Sequence, residues 1–234
     1  MAAHAESVWV ADDMMRLIGQ AAQTLPASTE LAESDVPFRA GLAVLEKVYT
    51  DQGYYGSKMY LAGLSWTLHS ADGQYGFLCG LYAYARVTPG AWPRLILVRP
   101  DVFVPLGRSV GSADERDGDN RFARLCATFL LLLGQPLSEW EQQEPPRQMQ
   151  RQAEHTGHKI RTIRTVALRR PQSDSGNGER YHRDWSHRWM VSAHWRRQWY
   201  ASEQRHRSIL IGPYVKGPDC KPLVLKQRAF RWVR

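Results

Sequence analysis

The sequence predicts an α+β protein. Residues 1–144 read as helices with an antiparallel sheet, and residues 145–234 as a basic, β-rich portion forming a small antiparallel sheet or barrel. Three observations predict this. Two early segments carry apolar residues at helical spacing, and three long runs rich in Tyr, Leu, Val and Trp follow, separated by turn-forming clusters. The charge then changes sign at Glu144-Pro145-Pro146: 11 Lys/Arg against 17 Asp/Glu before it, 20 against 6 after it. That boundary divides the chain into two portions and leaves open that they form one continuous fold.

Each element has its own justification. Ala11 to Leu25 repeats Met14, Leu17, Ile18 and Ala21 on one face, starts with Asp12 and Asp13, and stops at Pro26, which predicts a helix. Phe38 to Tyr49, with Leu42, Leu45 and Val48 in phase, predicts a second. Met59 to His69, Gly76 to Val87 and Arg94 to Val104 predict strands, divided by Ser70–Gly73 and Thr88–Pro93. Pro100 breaks the third of these or places it on an edge. After the acidic loop of residues 110–120, Arg121 to Leu133 predicts a helix ended by Gly134 and Pro136, with a short helix over Leu137 to Gln143. Beyond the boundary, Arg147 to His155 reads as a helix. Lys159 to Arg169, His187 to Tyr200, His206 to Lys216 and Leu223 to Val233 read as strands.

Several classes are excluded or disfavoured. No apolar run approaches the ~18 residues of a membrane span, and the first fifteen residues lack the pattern of a secretory signal. Three dispersed Cys without C-x-x-C give neither a disulfide framework nor a zinc knuckle, so a reduced, cytoplasmic setting is expected. His182, His187 and His194 have no ligand spacing, and the acidic loop has Leu125 where an EF-hand needs Glu. No phosphate-cradling glycine loop or nucleophile elbow is present. No metal and no cofactor are expected.

The densest chemistry is HRWMVSAHWRRQWY, His187 to Tyr200. As one strand, it sends His187, Trp189, Val191, Ala193, Trp195, Arg197 and Trp199 to a core face. Arg188, Met190, Ser192, His194, Arg196, Gln198 and Tyr200 go to a polar face. With the next run paired beside it, Arg188, His194, Arg196, His206, Tyr214 and Lys216 become a predicted contact surface, joined by Arg147 and Arg151 on the preceding helix. Cations beside aromatics suit phosphates and bases, so nucleic-acid binding, RNA or DNA, is the leading reading. A protein-interaction or regulatory module is the alternative, with Tyr54, Tyr55 and Tyr60 as candidate exposed aromatics. The third is a metal-independent, ribonuclease-like nuclease using His194, His206 and Lys216, though the balance leans against an enzyme.

The stretch HRWMVSAHWRRQWY…HRSILIGPYVKGPDCKPL, with Arg147 and Arg151 before it and Leu168-Arg169-Arg170 between, resembles the C-terminal signature of an uncharacterised family of proteins from actinobacteria and their phages and plasmids. The likeness covers roughly the last 90 residues. Ser192-Ala193 precedes His194 where that signature has Gly. The resemblance implies a mobile-element or actinobacterial setting and supplies no reaction.

Overall fold

A computed structural model describes residues 5–52, 58–71, 73–85, 94–111, 118–135, 138–143, 163–168 and 185–224. The elements in chain order are β1 (Glu6–Val10), α1 (Asp12–Gln23), β2 (Ala40–Gln52), β3 (Lys58–Ala71), β4 (Gln74–Ala85), β5 (Arg94–Pro105), α2 (Gly118–Leu133), β6 (Ser138–Gln143), β7 (Ile163–Leu168), β8 (Trp189–Val191), β9 (His194–Tyr200), β10 (Arg205–Ile211) and β11 (Tyr214–Lys216). A single turn of 3-10 helix spans Glu33–Asp35. The α+β expectation holds, with strands in the majority.

Seven strands form one mixed sheet in the order β5-β4-β3-β2-β1-β7-β6. β1 runs parallel to β2 and β7, and the remaining pairs are antiparallel. Parallel neighbours need a crossover, and α1 supplies it between β1 and β2. β7 follows the Glu144–Pro146 breaker, yet it pairs with β1 and with β6, which both precede it.

The predicted first helix and the three long strands are where the sequence placed them. Ala71 pairs with Gln74, and Gly73 between them sits at φ +75, the conformation a tight hairpin connection calls for. Pro100 lies on β5, the edge strand, where the register against β4 slips between Cys79 and Tyr82, so the missing donor costs no regular ladder bond.

Three expectations are corrected. Residues 38–49 are not a helix. Over residues 41–45 burial alternates with period two, with Ala43 and Leu45 buried, and the run is β2. Leu42, Leu45 and Val48 fit a helical face by spacing, but pairing to both β1 and β3 overrides that local preference. Between Val44 and Tyr49 the β2–β3 register slips, and this bulge brings Glu46 and Lys47 to the start of α1. There Glu46 Oε2 accepts the Asp12 N–H at 3.0 Å, a bond that the N-cap residue Ala11 cannot supply. Residues 138–143 form strand β6 rather than a short helix. His187 to Tyr200 is not one strand. It breaks at Ser192-Ala193 into β8 and β9, which belong to separate two-stranded sheets, β11-β8 and β10-β9. Among the described residues the C-terminal strands do not close into a barrel. The expected helix over Arg147 to His155 lies outside the described residues, as does the last run beyond Val224.

The core lies between the sheet and the two helices. Val8, Val10, Ala43, Leu64, Trp66, Phe77, Cys79, Leu81, Val102 and Val104 meet Met14, Ile18, Ala21, Phe122, Cys126 and Phe129. Trp66 packs on Phe129 with ring centroids 5.5 Å apart, and its Nε1–H donates to the Phe38 carbonyl. Gly41 allows this, because a Cβ there would overlap the Trp66 ring. Residues 125–133 of α2 are all buried, more than the one apolar face its periodicity marked. Leu210 of β10 belongs to the same core, so the β9–β10 hairpin forms a third layer outside the helices. Arg124 is buried within α2. Its guanidinium donates to the carbonyls of Gly111, Ala22 and Leu25, taking up carbonyls at the C-terminal end of α1, and burial lowers its pKa. No helix among the described residues is long and apolar enough to cross a membrane.

Candidate nucleic-acid interface

The β9–β10 hairpin carries the dense stretch, and its seat decides which side chains face water. Four contacts hold it. Leu210 is buried against α2. Trp195 Nε1–H donates to the Ala21 carbonyl at 2.9 Å. The Ser208 and Thr29 hydroxyls lie 3.3 Å apart. Arg205 and Arg207 both reach Asp35, whose side chain is only 4 % exposed.

Asp35 is a hub. Its Oδ2 accepts from Ala32 N–H and Arg205 Nη1, its Oδ1 accepts from Arg205 Nη2, and Arg207 Nη2 forms an ion pair with Oδ1 at 2.6 Å. Glu203 closes the group, with Oε2 at 2.7 Å from Arg205 Nε and Oε1 at 3.1 Å from Arg207 Nη1. The bonds to Asp35 raise the Arg205 pKa above its ordinary value, so this guanidinium stays charged. The Arg207 guanidinium also lies over the Tyr200 ring at 5.1 Å. Part of the basic back of the chain therefore pairs with its acidic front.

The strand alternation changes phase within β9. Its burial runs exposed at His194, half-buried at Trp195, exposed at both Arg196 and Arg197, then half-buried at Gln198, exposed at Trp199 and half-buried at Tyr200. Before the switch the odd-numbered residues face in, and after it the even-numbered ones do. The second half follows Arg205 and Arg207, the cross-strand partners of Tyr200 and Gln198, which turn inward to Asp35. Two consecutive arginines are left facing water at the switch. Trp199 follows with 49 % of its surface exposed and its ring 4.9 Å from that of its cross-strand partner His206.

The residues singled out from sequence separate accordingly. His194 and Arg196 lie on one face of β9 and are exposed; His194 Nδ1–H donates to the Ser192 carbonyl at 3.0 Å. His206 does not join them. Its pairing with Trp199 puts it five register steps from His194, roughly 17 Å at about 3.3 Å per residue. An acid and a base must both reach one phosphodiester, and these two imidazoles are not assembled for that. Arg188 is tied into the C-terminal turn: its Nε donates to the Lys221 carbonyl at 2.8 Å and its Nη1 lies 4.0 Å from Asp219. Tyr214 is half-buried and Lys216 exposed on β11, the latter opposite Trp189. Arg147 and Arg151 lie outside the described residues, as do Tyr54 and Tyr55, while Tyr60 is exposed.

Sequence reasoning sent Arg197 and Trp199 to the core and missed them as surface residues, because strict alternation cannot foresee a phase switch. It also missed Asp35, which carries no local signal of its partners 170 residues away.

Residues 185–224 carry seven Lys/Arg and two carboxylates, and both carboxylates, Glu203 and Asp219, face arginines already named. Among the described residues, Arg196, Arg197, Lys216 and Lys221 have no carboxylate partner. No group of three His, Cys, Asp or Glu is placed to hold a metal ion among the described residues.

No family model and no curated protein matches the chain. Among solved structures, the crystal structure of AcrVA2 is similar at 14 % identity, with a TM-score of 0.46, over 90 % of this chain and 71 % of that one. A likeness of that size carries no argument about function.

Proposed function

We propose that this protein binds nucleic acid through the outward face of its C-terminal hairpin. The resemblance of the C-terminal signature supports a mobile-element or actinobacterial setting, and the three dispersed Cys support a reduced, cytoplasmic one. The observation that carries the reading is the pair Arg196 and Arg197, adjacent, exposed and without a carboxylate among the described residues, beside the half-exposed indole of Trp199. His194 adds a hydrogen-bonding group on the face of Arg196, and Lys216 and Lys221 add positive charge in the neighbouring segment. Phosphates neutralised by such cations release counterions, so binding weakens steeply with salt. The test is a salt series on labelled oligonucleotides with wild type and the Arg196→Gln/Arg197→Gln double variant. The slope of log K against log salt should fall in magnitude by roughly 1.4–1.8, or about 0.7–0.9 for each phosphate that is no longer neutralised. Binding that ignores salt, or a double variant equal to wild type, overturns the reading.

A second reading, a protein-interaction module, has its own observation. Tyr84 on β4 and Ile96, Leu97 and Val98 on the edge strand β5 are each exposed. An apolar group at a sheet edge suits a protein partner. In that case the chain co-purifies with another protein and is indifferent to nucleic acid.

A further inference from the structure

We infer that the hairpin takes a single strand, one of whose unpaired bases stacks on Trp199. This rests on the nucleic-acid reading above and names the class of ligand for the same surface.

Three features carry it. First, the fold packs the other indole of this strand, the half-buried Trp195, against the core and gives its N–H a carbonyl partner, while Trp199 keeps half of its surface in water. Second, His206 meets the Trp199 ring at 61°, an edge contact that steadies the indole plane and covers at most one of its faces. Third, Arg197 points outward two residues before Trp199, about 6.6 Å along the strand. A base on the indole thus leaves a phosphate near Arg197, with Arg196 beside it.

A duplex makes poorer use of these groups. Its bases are already stacked on each other, and a β-ribbon entering a groove reads base edges with polar side chains. The amide that could do so here, Gln198, is turned inward and donates to the Trp199 carbonyl at 3.3 Å. Trp199 offers a large π-face and one N–H, which suits stacking and suits edge reading badly.

The experiment measures binding of the full chain to a labelled 15-nucleotide oligothymidylate, to the matching oligouridylate and to a 15-base-pair duplex, at fixed salt. Trp199→Ala, Trp199→Phe and Arg196→Gln are run in parallel. Trp199→Ala should weaken binding to the single strands roughly 5- to 150-fold, the range for the loss of one base stack, and to the duplex less than twofold, with the salt slope unchanged. Trp199→Phe, which keeps a π-face, should recover most of the loss. Arg196→Gln should weaken all three ligands and flatten the salt slope. If Trp199→Ala leaves single-strand binding intact, or weakens both classes equally, the stacking inference is overturned while the loss in Arg196→Gln still supports general nucleic-acid binding. If the wild type binds none of the three ligands, both are overturned.

Discussion

Replacing Asp35 by Asn should loosen the hairpin from the body of the protein. The substitution keeps the size of the side chain and removes its charge. Asp35 accepts three hydrogen bonds, two of them from the Arg205 guanidinium, and its Oδ1 forms an ion pair with Arg207 Nη2 at 2.6 Å. An Asn amide turns two donors toward donors that it cannot satisfy. Charge-assisted bonds contribute about 1.5–3 kcal/mol each, and not additively, because they share two oxygens. The upper bound is the cost of breaking a buried pair, about 3–5 kcal/mol. The side chains of Arg205 and Arg207 keep 28 % and 16 % exposure, and Glu203 still faces both. These facts put the expected loss near the lower end, about 3 kcal/mol, or roughly a hundredfold in the folding equilibrium. Urea unfolding followed by Trp fluorescence measures it. Amide exchange should show early opening of residues 194–211. The double variant Asp35→Asn/Arg205→Gln should cost clearly less than the sum of the two single changes. A loss under about 0.5 kcal/mol, or strict additivity, would refute the claim that this hub anchors the hairpin.

Two further outcomes can be measured. Gly134→Ala should destabilise by about 1–3 kcal/mol, because a Cβ at Gly134 would overlap the Asp35 carbonyl oxygen, and its effect should not add to that of Asp35→Asn; additivity would show that the two positions are not coupled. The Cys126 thiol has its pKa raised above the ordinary 9.0 by the Cys79 side chain and then by burial. The fold therefore favours the protonated thiol, so this contribution is fully present below pH 9.0 and fades as pH rises past it, by about 1.4 kcal/mol per pH unit. Urea unfolding at a series of pH values should show that slope in wild type and a shallower one in Cys126→Ala; identical slopes would remove the claim.

What could be read from the chain depended on whether local pattern and tertiary placement agreed. α1 and the β3–β5 meander were legible because their periodicity, turn residues and burial all point the same way. β2 was not, since its spacing of Leu42, Leu45 and Val48 also satisfies a helix, and only a strand on either side of it decides the matter. β6 was misread for the same reason, a six-residue run being too short for periodicity to discriminate. The basic C-terminal surface was legible in outline from charge and composition. Its membership was not, because the break at Ser192-Ala193 and the phase switch at Arg196-Arg197 follow from anchors on other elements.

The division among the arginines bears directly on function. Arg205 and Arg207 are spent on holding the hairpin, and Arg188 on a turn. For these the self-pairing of basic back with acidic front is the physical account. It does not extend to Arg196 and Arg197, whose charges have no carboxylate partner among the described residues and repel one another slightly. Nor does it extend to Trp199, whose half-exposed ring forgoes part of the stabilisation that burial gives an aromatic side chain. Stability alone would favour a polar residue at 199 and opposite charges at 196 and 197. Departures from local rules concentrate where a surface has work to do. Here three of them fall within four consecutive residues, on the half of the hairpin that its own anchors turn toward water.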